Sequence, residues 1–409
     1  MCIDYRKLNA KTVPFSQPIP RIQDILDTLG GKKFFSTLDM SKAYHQGFIS
    51  EQFRHLTAFS TPWTLLEWIR IPFGLRNAPP AFQRYINKVL GDLKGRICEP
   101  YLDDILVYGE TFEEHVQNLR IVLKRLMEKG IKLRPDKCVF AKTEVRYLGR
   151  LISGSGYRAD PADTIALEKF RTPPKNVGDL RSLLGFLGYY RSYIKDFSKI
   201  VKPMYELLAD KDDRPAKIKK GNENHKKKGQ KHNSKEGISW SETHQKILEQ
   251  LINHLQSPII MAYPDFQQPF FITCDASSNG LGAVLYQTQE GVDKVISYAS
   301  RTLSDAEKNY HLHSGKLEFL ALKWAITERF SDYLHYGPAF DVYTDNNPLT
   351  YVLTSAKLNA VGMRWVNELA DYHFTIHYRR GVENVDADYL SRRSMDIGGC
   401  LPRICPKKC

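Results

Sequence analysis

Cysteine is sparse, long apolar runs are missing, and acidic residues are outnumbered. The seven cysteines are scattered along the chain. Cys98, Cys138 and Cys274 lie in apolar stretches and read as reduced core thiols. The tail "CLPRICPKKC" holds three more, but no His follows at zinc-ligand spacing, so no metal site is expected there. This pattern excludes a disulfide scaffold and points to a reducing, intracellular setting. No apolar run approaches the roughly 20 residues of a membrane helix. The opening "MCIDYRKLNA" is polar and charged from its fourth residue, unlike a secretory signal.

What is present is basic charge. Lys and Arg number 59 against 46 Asp and Glu, a formal net charge of +13 over 409 residues. That balance suits a polyanionic partner and says nothing of fold. A soluble protein with a Lys-rich segment would show the same number. Much of the excess sits at positions 211–235, "KDDRPAKIKKGNENHKKKGQKHNSK", with ten basic and three acidic residues and one large aliphatic, Ile218. Such a segment cannot offset its ordering entropy by burial. It reads as a disordered linker, with a nucleic-acid-binding arm as the alternative.

On either side the pattern is that of mixed α/β (α+β) structure. "KFFSTLDMS" is a short strand ending in Asp39. "AFQRYINKVLGDL" follows Pro79 and Pro80, which suit a first helical turn. Its apolar residues Phe82, Ile86, Val89, Leu90 and Leu93 recur at helical spacing. "TFEEHVQNLRIVLKRLMEKG" carries the stripe Val116, Leu119, Val122, Leu123, Leu126 and closes at Gly130. "VRYLGRLIS" reads as one strand and "VGDLRSLLGFLGYYRSYI" as a helix. Beyond the linker come strands in "PFFITCDASSNGLGAVLYQ" and "DKVISYAS", a long helix in "LEFLALKWAITERFSDYL", and strands in "FDVYTDNNPL" and "HFTIHYRRG". Strands first, then helix–strand alternation, predict a mixed sheet with helices on its faces.

Two acidic clusters stand out. In "EPYLDDILVYGE", Asp103 and Asp104 sit side by side between apolar residues. Strand alternation would send them to opposite faces unless the backbone turns there. A bend would let them gather with Asp39, and a divalent cation would then relieve their repulsion. Oxygen-only donors favour Mg²⁺ or Mn²⁺ over zinc. On spacing alone, an acidic surface turn accounts for the pair equally well. In the second half, Asp275, Glu318, Asp345 and Asp388 are spread in sequence but can converge at one sheet edge. Each alone is an ordinary exposed acid.

The ordered words "FSTLDMSKAYHQ", "PFGLRNAPPAFQR", "YLDD", "VRYLGRLIS" and "LRSLLGFLGYYRSYI" together resemble the reverse transcriptase of gypsy-type LTR retrotransposons. "TCDASSNGLGAVL", "KLEFLALKWAI", "VYTDNNPL" and "ENVDADYLSR" resemble the ribonuclease H domain that follows it in the same Pol polyproteins. The resemblance runs from Met1 to about Arg392. It implies partial fingers and palm at 1–152, a thumb-like helical region at 153–209, the Lys-rich linker at 210–239, a connecting segment at 240–268, a ribonuclease H-like domain at 269–392 and a tail at 393–409. It implies that Asp39 and Asp103 hold two catalytic Mg²⁺ ions, Mn²⁺ serving as well, and that Asp104 completes the acidic site. Tyr44 would exclude a ribose 2′-hydroxyl, and Phe73 would line the nucleotide pocket. Asp275, Glu318, Asp345 and Asp388 would hold the second pair of ions, with Asp388 preferred over Asp386 and no catalytic His. The implied partners are an RNA template, a DNA primer, RNA–DNA hybrid, deoxynucleoside triphosphates and other parts of the polyprotein, without a membrane. The implied setting is a cytoplasmic virus-like particle, or the nucleus.

Three departures carry expectations of their own. "MCIDYRKLN" corresponds to a fingers strand, and the family's basic triphosphate-gripping residues precede it, so weak polymerase activity is expected of this chain. Thr64 stands where the family tends to have Gly, which predicts a disturbed fingers hairpin. No protease triplet or integrase flanks these domains, as in a piece of a polyprotein or a degraded copy. The alternative function is a relic that binds nucleic acid or keeps only ribonuclease H activity.

Overall fold

The computed structural model describes residues 3–162, 171–209, 236–257, 259–309, 314–335, 337–351 and 360–379. The chain divides into two compact units, Met1–Tyr157 and Arg158–Cys409.

In the first unit, α1 (Arg6–Lys11) is a short helix where a fingers strand was expected. Asn9 fixes it: its amide donates to the Gly74 carbonyl at 2.7 Å and accepts from the Arg76 N–H at 2.8 Å. The first unit is built on a four-stranded sheet in the order β4-β5-β1-β6. Its strands are β1 (Phe34–Asp39), β4 (Cys98–Tyr101), β5 (Asp104–Gly109) and β6 (Val139–Lys142). Between β1 and β4 come α2 (Ala43–Gln46), the hairpin strands β2 (Phe59–Ser60) and β3 (Leu65–Leu66), and α3 (Ala78–Leu90). The hairpin forms despite Thr64. Phe59 pairs with Leu66, and the Thr61 hydroxyl accepts from the Thr64 N–H at 3.0 Å, closing the turn without a left-handed residue.

α3 begins with prolines in its first turn and ends at Gly91, φ 50°. α4 (Phe112–Glu128) is capped by the Thr111 hydroxyl, which accepts from the Glu114 N–H at 3.2 Å. Both helices cover one sheet face. Phe82, Ile86, Val122 and Leu126 meet Leu38, Ile105 and Val107 in a single core. Two polar residues of α4, His115 and Asn118, are also buried, which the apolar stripe did not foretell. His115 bonds the Ser36 hydroxyl at 2.7 Å and Asn118 donates to the Tyr108 carbonyl at 3.0 Å. "VRYLGRLIS" is two strands, not one: β7 (Glu144–Tyr147) and β8 (Arg150–Ser153). Leu148 and Gly149 both take positive φ, 50° and 71°, as a two-residue type I′ hairpin requires. β9 (Gly156–Ala159) completes that sheet. Of the three thiols read as core, Cys98 and Cys274 are buried and Cys138 is only half-buried, because it follows an exposed turn at Pro135–Lys137.

The second unit holds α5 (Val177–Tyr189), α6 (Phe197–Ala209) and α7 (Glu242–Gln256) together with a five-stranded sheet. The helices read as thumb-like therefore cluster with the sheet that follows them. The sheet order is β12-β11-β10-β13-β14, from β10 (Phe271–Ser277), β11 (Gly280–Gln289), β12 (Val292–Thr302), β13 (Phe340–Thr344) and β14 (Phe374–Tyr378). β10, β11 and β12 form antiparallel pairs, and β13 joins β10 and β14 in parallel. The expected long helix is interrupted. α8 (Ser314–Trp324) passes through a π-helical turn at Ala325–Arg329 before Ser331–Leu334. α8 and α9 (Ala360–Leu369) pack on the sheet over Ile272, Cys274, Leu285 and Val342.

Positions 210–235 of the Lys-rich linker and the tail lie outside the described residues, and the linker's last residues are described, with the Glu236 carbonyl accepting from the Val177 N–H at 2.9 Å. Among the described residues, no helix is long and apolar enough to cross a membrane.

Candidate active sites

Strand register decides where the first carboxylates lie. β1 and β5 run antiparallel with Asp39 directly opposite Asp104. Opposed residues share a face with Cβ atoms about 5 Å apart, and like charges there repel. Leu38 and Ile105 point into the helix-covered core. Their neighbours Asp39 and Asp104 therefore point to the other face.

Asp103 joins them through a turn. Tyr101 pairs with Asp104, so Leu102 and Asp103 alone make the hairpin loop. Leu102 takes φ 53°, a left-handed conformation that costs an L-residue roughly 1–2 kcal/mol. Gln83, fully buried on α3, holds the loop in place. Its amide oxygen accepts from the Leu102 N–H at 2.7 Å and its amide nitrogen donates to the Pro100 carbonyl at 3.1 Å. The Asp103 carbonyl accepts from the Met40 N–H at 3.0 Å, tying the loop to the end of β1. Gln83 was not singled out from the sequence, although it stands inside the quoted "PPAFQR". A buried amide there has a use only once the loop is seen beside it.

The electrostatics follow from the crowding. Burial, then the charges of Asp103 and Asp39, push the Asp104 carboxyl up to about 6, opposed by Lys137. Lys137 Nζ is 3.8 Å from Asp39 Oδ2. Tyr44 lies within reach of the Asp103 charge, and Phe73 packs against Tyr44. The Tyr44 ring meets Phe73 edge-on at 5.3 Å and Phe82 at 5.7 Å. Burial and the Asp103 charge raise the Tyr44 phenol above its ordinary pKa. Phe73 is half exposed.

The second cluster forms at one edge of the five-stranded sheet. Asp275 lies near the end of β10, opposite Gly282 of β11. Asp345 directly follows β13, the parallel neighbour of β10, so both carboxylates leave the sheet at the same edge. Glu318 projects from α8, which packs on β10. Burial, then the charges of Asp345 and Asp275, push Glu318 up to about 7, opposed by Lys199. Glu318 Oε2 is buried without a hydrogen-bond partner. Asp388 and its competitor Asp386 lie outside the described residues. His377 of β14, to which no catalytic role was given, bonds Asp341 of β13 at 2.8 Å.

Among the described residues, no three His, Cys, Asp or Glu side chains are gathered tightly enough to hold an ion as they stand. The donor chemistry nevertheless fits a divalent cation. Both clusters offer only hard carboxylate oxygens, one of them orphaned. An ammonium, Lys199 Nζ, already sits 2.8 Å from Asp275 Oδ2.

Residues 1–152 match the family model described as reverse transcriptase (RNA-dependent DNA polymerase). Residues 265–372 match the RNase H-like domain found in reverse transcriptase. The retrovirus-related Pol polyprotein from transposon gypsy of Drosophila melanogaster is 37% identical over 398 residues, covering 97% of this chain. The chain belongs to the gypsy-type Pol family. Within it, the Pol polyprotein from transposon opus of the same fly is 37% identical over 392 residues, covering 96% of this chain and 37% of its own length. The Tf2-3 polyprotein of Schizosaccharomyces pombe is 30% identical over 400 residues, covering 96% of this chain and 28% of its own length. The chain spans 36% of the gypsy relative's length. In fold it is similar to the foamy viral protease-reverse transcriptase in complex with dsDNA, at a TM-score of 0.76, 24% identity, and coverage of 93% of this chain and 75% of that one. The same viral protein in complex with RNA/DNA hybrid matches at a TM-score of 0.72 and 23% identity, over 99% of this chain and 51% of that one.

Proposed function

We propose that the first unit is an RNA-directed DNA polymerase and that the second hydrolyses the RNA strand of RNA–DNA hybrids. The observation that carries the reading is the direct opposition of Asp39 and Asp104 across a sheet, with Asp103 in the adjoining two-residue loop. A fold gains nothing by opposing two carboxylates around a third unless a cation is their partner. Two Mg²⁺ ions at each site, or Mn²⁺, would activate the attacking hydroxyl or water and neutralise the leaving oxygen.

The chain's own residues then divide the work. Asp39 and Asp103 hold the polymerase ions, and Asp104 completes the acidic floor. Tyr44, braced by Phe73 and Phe82, forms a wall that a 2′-hydroxyl would strike. In the second unit Asp275, Glu318, Asp345 and Asp388 hold the ions for hydrolysis. Substrates are deoxynucleoside triphosphates and a primed RNA template, and the remaining Pol segments are natural partners. The intracellular setting, in a cytoplasmic particle or the nucleus, belongs to the same proposal. The foamy viral structures named for dsDNA and RNA/DNA hybrid support the choice of ligand.

The test follows both strands of an RNA–DNA hybrid with a recessed primer, Mg²⁺ and all four deoxynucleotides. Weak extension and RNA cleavage are both expected. Asp103→Asn should abolish extension and spare cleavage, and Glu318→Gln should do the reverse. A folded protein that changes neither strand would leave a charge-driven nucleic-acid binder instead.

A further inference from the structure

The second unit's carboxylate cluster already has a cation on it, supplied by the chain. Lys199, on the first turn of α6, places Nζ 2.8 Å from Asp275 Oδ2 and 3.2 Å from Asp196 Oδ1. Its side chain is only 24% exposed, against 61% for Asp275. The placement is built by several features. Asp196 adopts a left-handed backbone, φ 53°. Its carboxylate fills the space over Gly282, where any Cβ would lie 2.6 Å from Oδ1. Gly282 is itself the strand partner of Asp275. The first turn of α6 is pinned to β12 by the Ser198 N–H, which donates to the Ser300 hydroxyl at 2.9 Å. Beside it, Lys202 Nζ donates to Asn279 Oδ1 at 2.7 Å. Nothing in the ribonuclease H reading uses Lys199.

A divalent ion on Asp275 Oδ2 would sit roughly 2.0–2.1 Å from that oxygen. An ammonium hydrogen-bonded to the same atom cannot stay beside it without strong repulsion. We propose that Lys199 is a positioning residue of the second site: a tethered cation that holds Asp275 aligned in the metal-free protein and gives way when a divalent ion binds. The proposal rests on the ribonuclease H reading above. Asp196 is the seat that keeps the displaced ammonium near.

The test uses the full chain with Asp103→Asn and Asp104→Asn, so that only the second site binds metal, and Mn²⁺ as the probe in isothermal titration. Lys199→Met should bind Mn²⁺ about fivefold tighter, the size of one partly exposed ion pair. Lys199→Arg, which keeps the charge, should return the affinity towards that of Lys199. Equal or weaker Mn²⁺ binding by Lys199→Met overturns the proposal. A second measurement needs no variant at this position: lysine acetylation read by mass spectrometry. Labelling of Lys199, relative to the exposed Lys246, should rise when Mn²⁺ is added, and unchanged labelling overturns the proposal. Hybrid cleavage in the same samples separates the two claims. Cleavage with unaltered Mn²⁺ affinity removes only the role of Lys199. Absence of both cleavage and Mn²⁺ binding removes the ribonuclease H reading with it.

Discussion

A carboxyl group whose native pKa lies above its unfolded value is held charged against the fold. Asp104, pushed up from 3.8 to about 6 by burial and by Asp103 and Asp39, is such a group. Between those two values the native state binds more protons than the unfolded one, so stability falls as pH rises through the window. Asp104→Asn should therefore stabilise the protein at pH 8 in EDTA by about 1–2 kcal/mol after allowing for its partial exposure, and raise its melting temperature accordingly. At pH 3.5, where both states are mostly protonated, the variant should melt close to the parent. Glu318→Gln should behave the same way over the window from 4.5 to about 7. Saturating Mg²⁺ should shrink both gains, because the ion binds the parent's complete carboxylate set more tightly than the variant's. Melting curves at the two pH values check this, and a stability loss at pH 8 would contradict it. Gln83 works in the opposite sense. Gln83→Leu keeps the bulk but leaves the Leu102 N–H and the Pro100 carbonyl without their buried partner. A stability loss of about 1–3 kcal/mol is expected, with a larger fall in kcat for extension than in RNA cleavage.

At the scale of elements, one close approach fixes how α4 meets β5. A Cβ added at Gly109 would lie 2.8 Å from the His115 nitrogen and 2.9 Å from its Cα. Both are backbone atoms and neither can swing aside. Gly109→Ala should cost about 1–3 kcal/mol by forcing the helix off the sheet, read as a shifted denaturation midpoint with an unchanged slope. Elements with one clear period were legible in the sequence: β1 ending at Asp39, α3 behind its prolines, α4 closing at Gly130. Others were not, for reasons that lie in pairing. "VRYLGRLIS" has the composition of a single strand, and only the left-handed pair Leu148–Gly149 reveals the hairpin. The burial of His115 and Asn118 depends on Ser36 and the Tyr108 carbonyl, some 10 to 79 residues away, so the α4 stripe gave no sign of it. Motif words located Asp39, Asp103, Asp104, Asp275, Glu318 and Asp345 in sequence. They could not show that Gln83 braces the first group or that Lys199 sits on the second, because each contact joins segments far apart in the chain.

For the whole molecule, the uneven placement of charge governs how it meets a polyanion. Positions 211–235 carry ten basic and three acidic residues, a net +7 within a chain total of +13. A partner that neutralises about four phosphates should lose on the order of a hundredfold in affinity between about 50 and about 200 mM salt. Replacing the ten basic residues of that segment with Ser or Gln should weaken binding to hybrid and to duplex DNA alike. It should flatten the salt dependence as well, because charge attraction carries no sequence or strand preference. Melting of the chain should not change, since a segment with one large aliphatic residue contributes little to any core. Binding in EDTA should persist while RNA cleavage stops, which separates attraction by charge from chemistry at the carboxylates. Fluorescence anisotropy with labelled hybrid and labelled duplex, across a salt series, measures the binding, while melting curves and a cleavage gel measure the rest. If the neutralised chain kept the parent's slope, the folded units would carry the whole attraction and the Lys-rich segment would be a spacer alone.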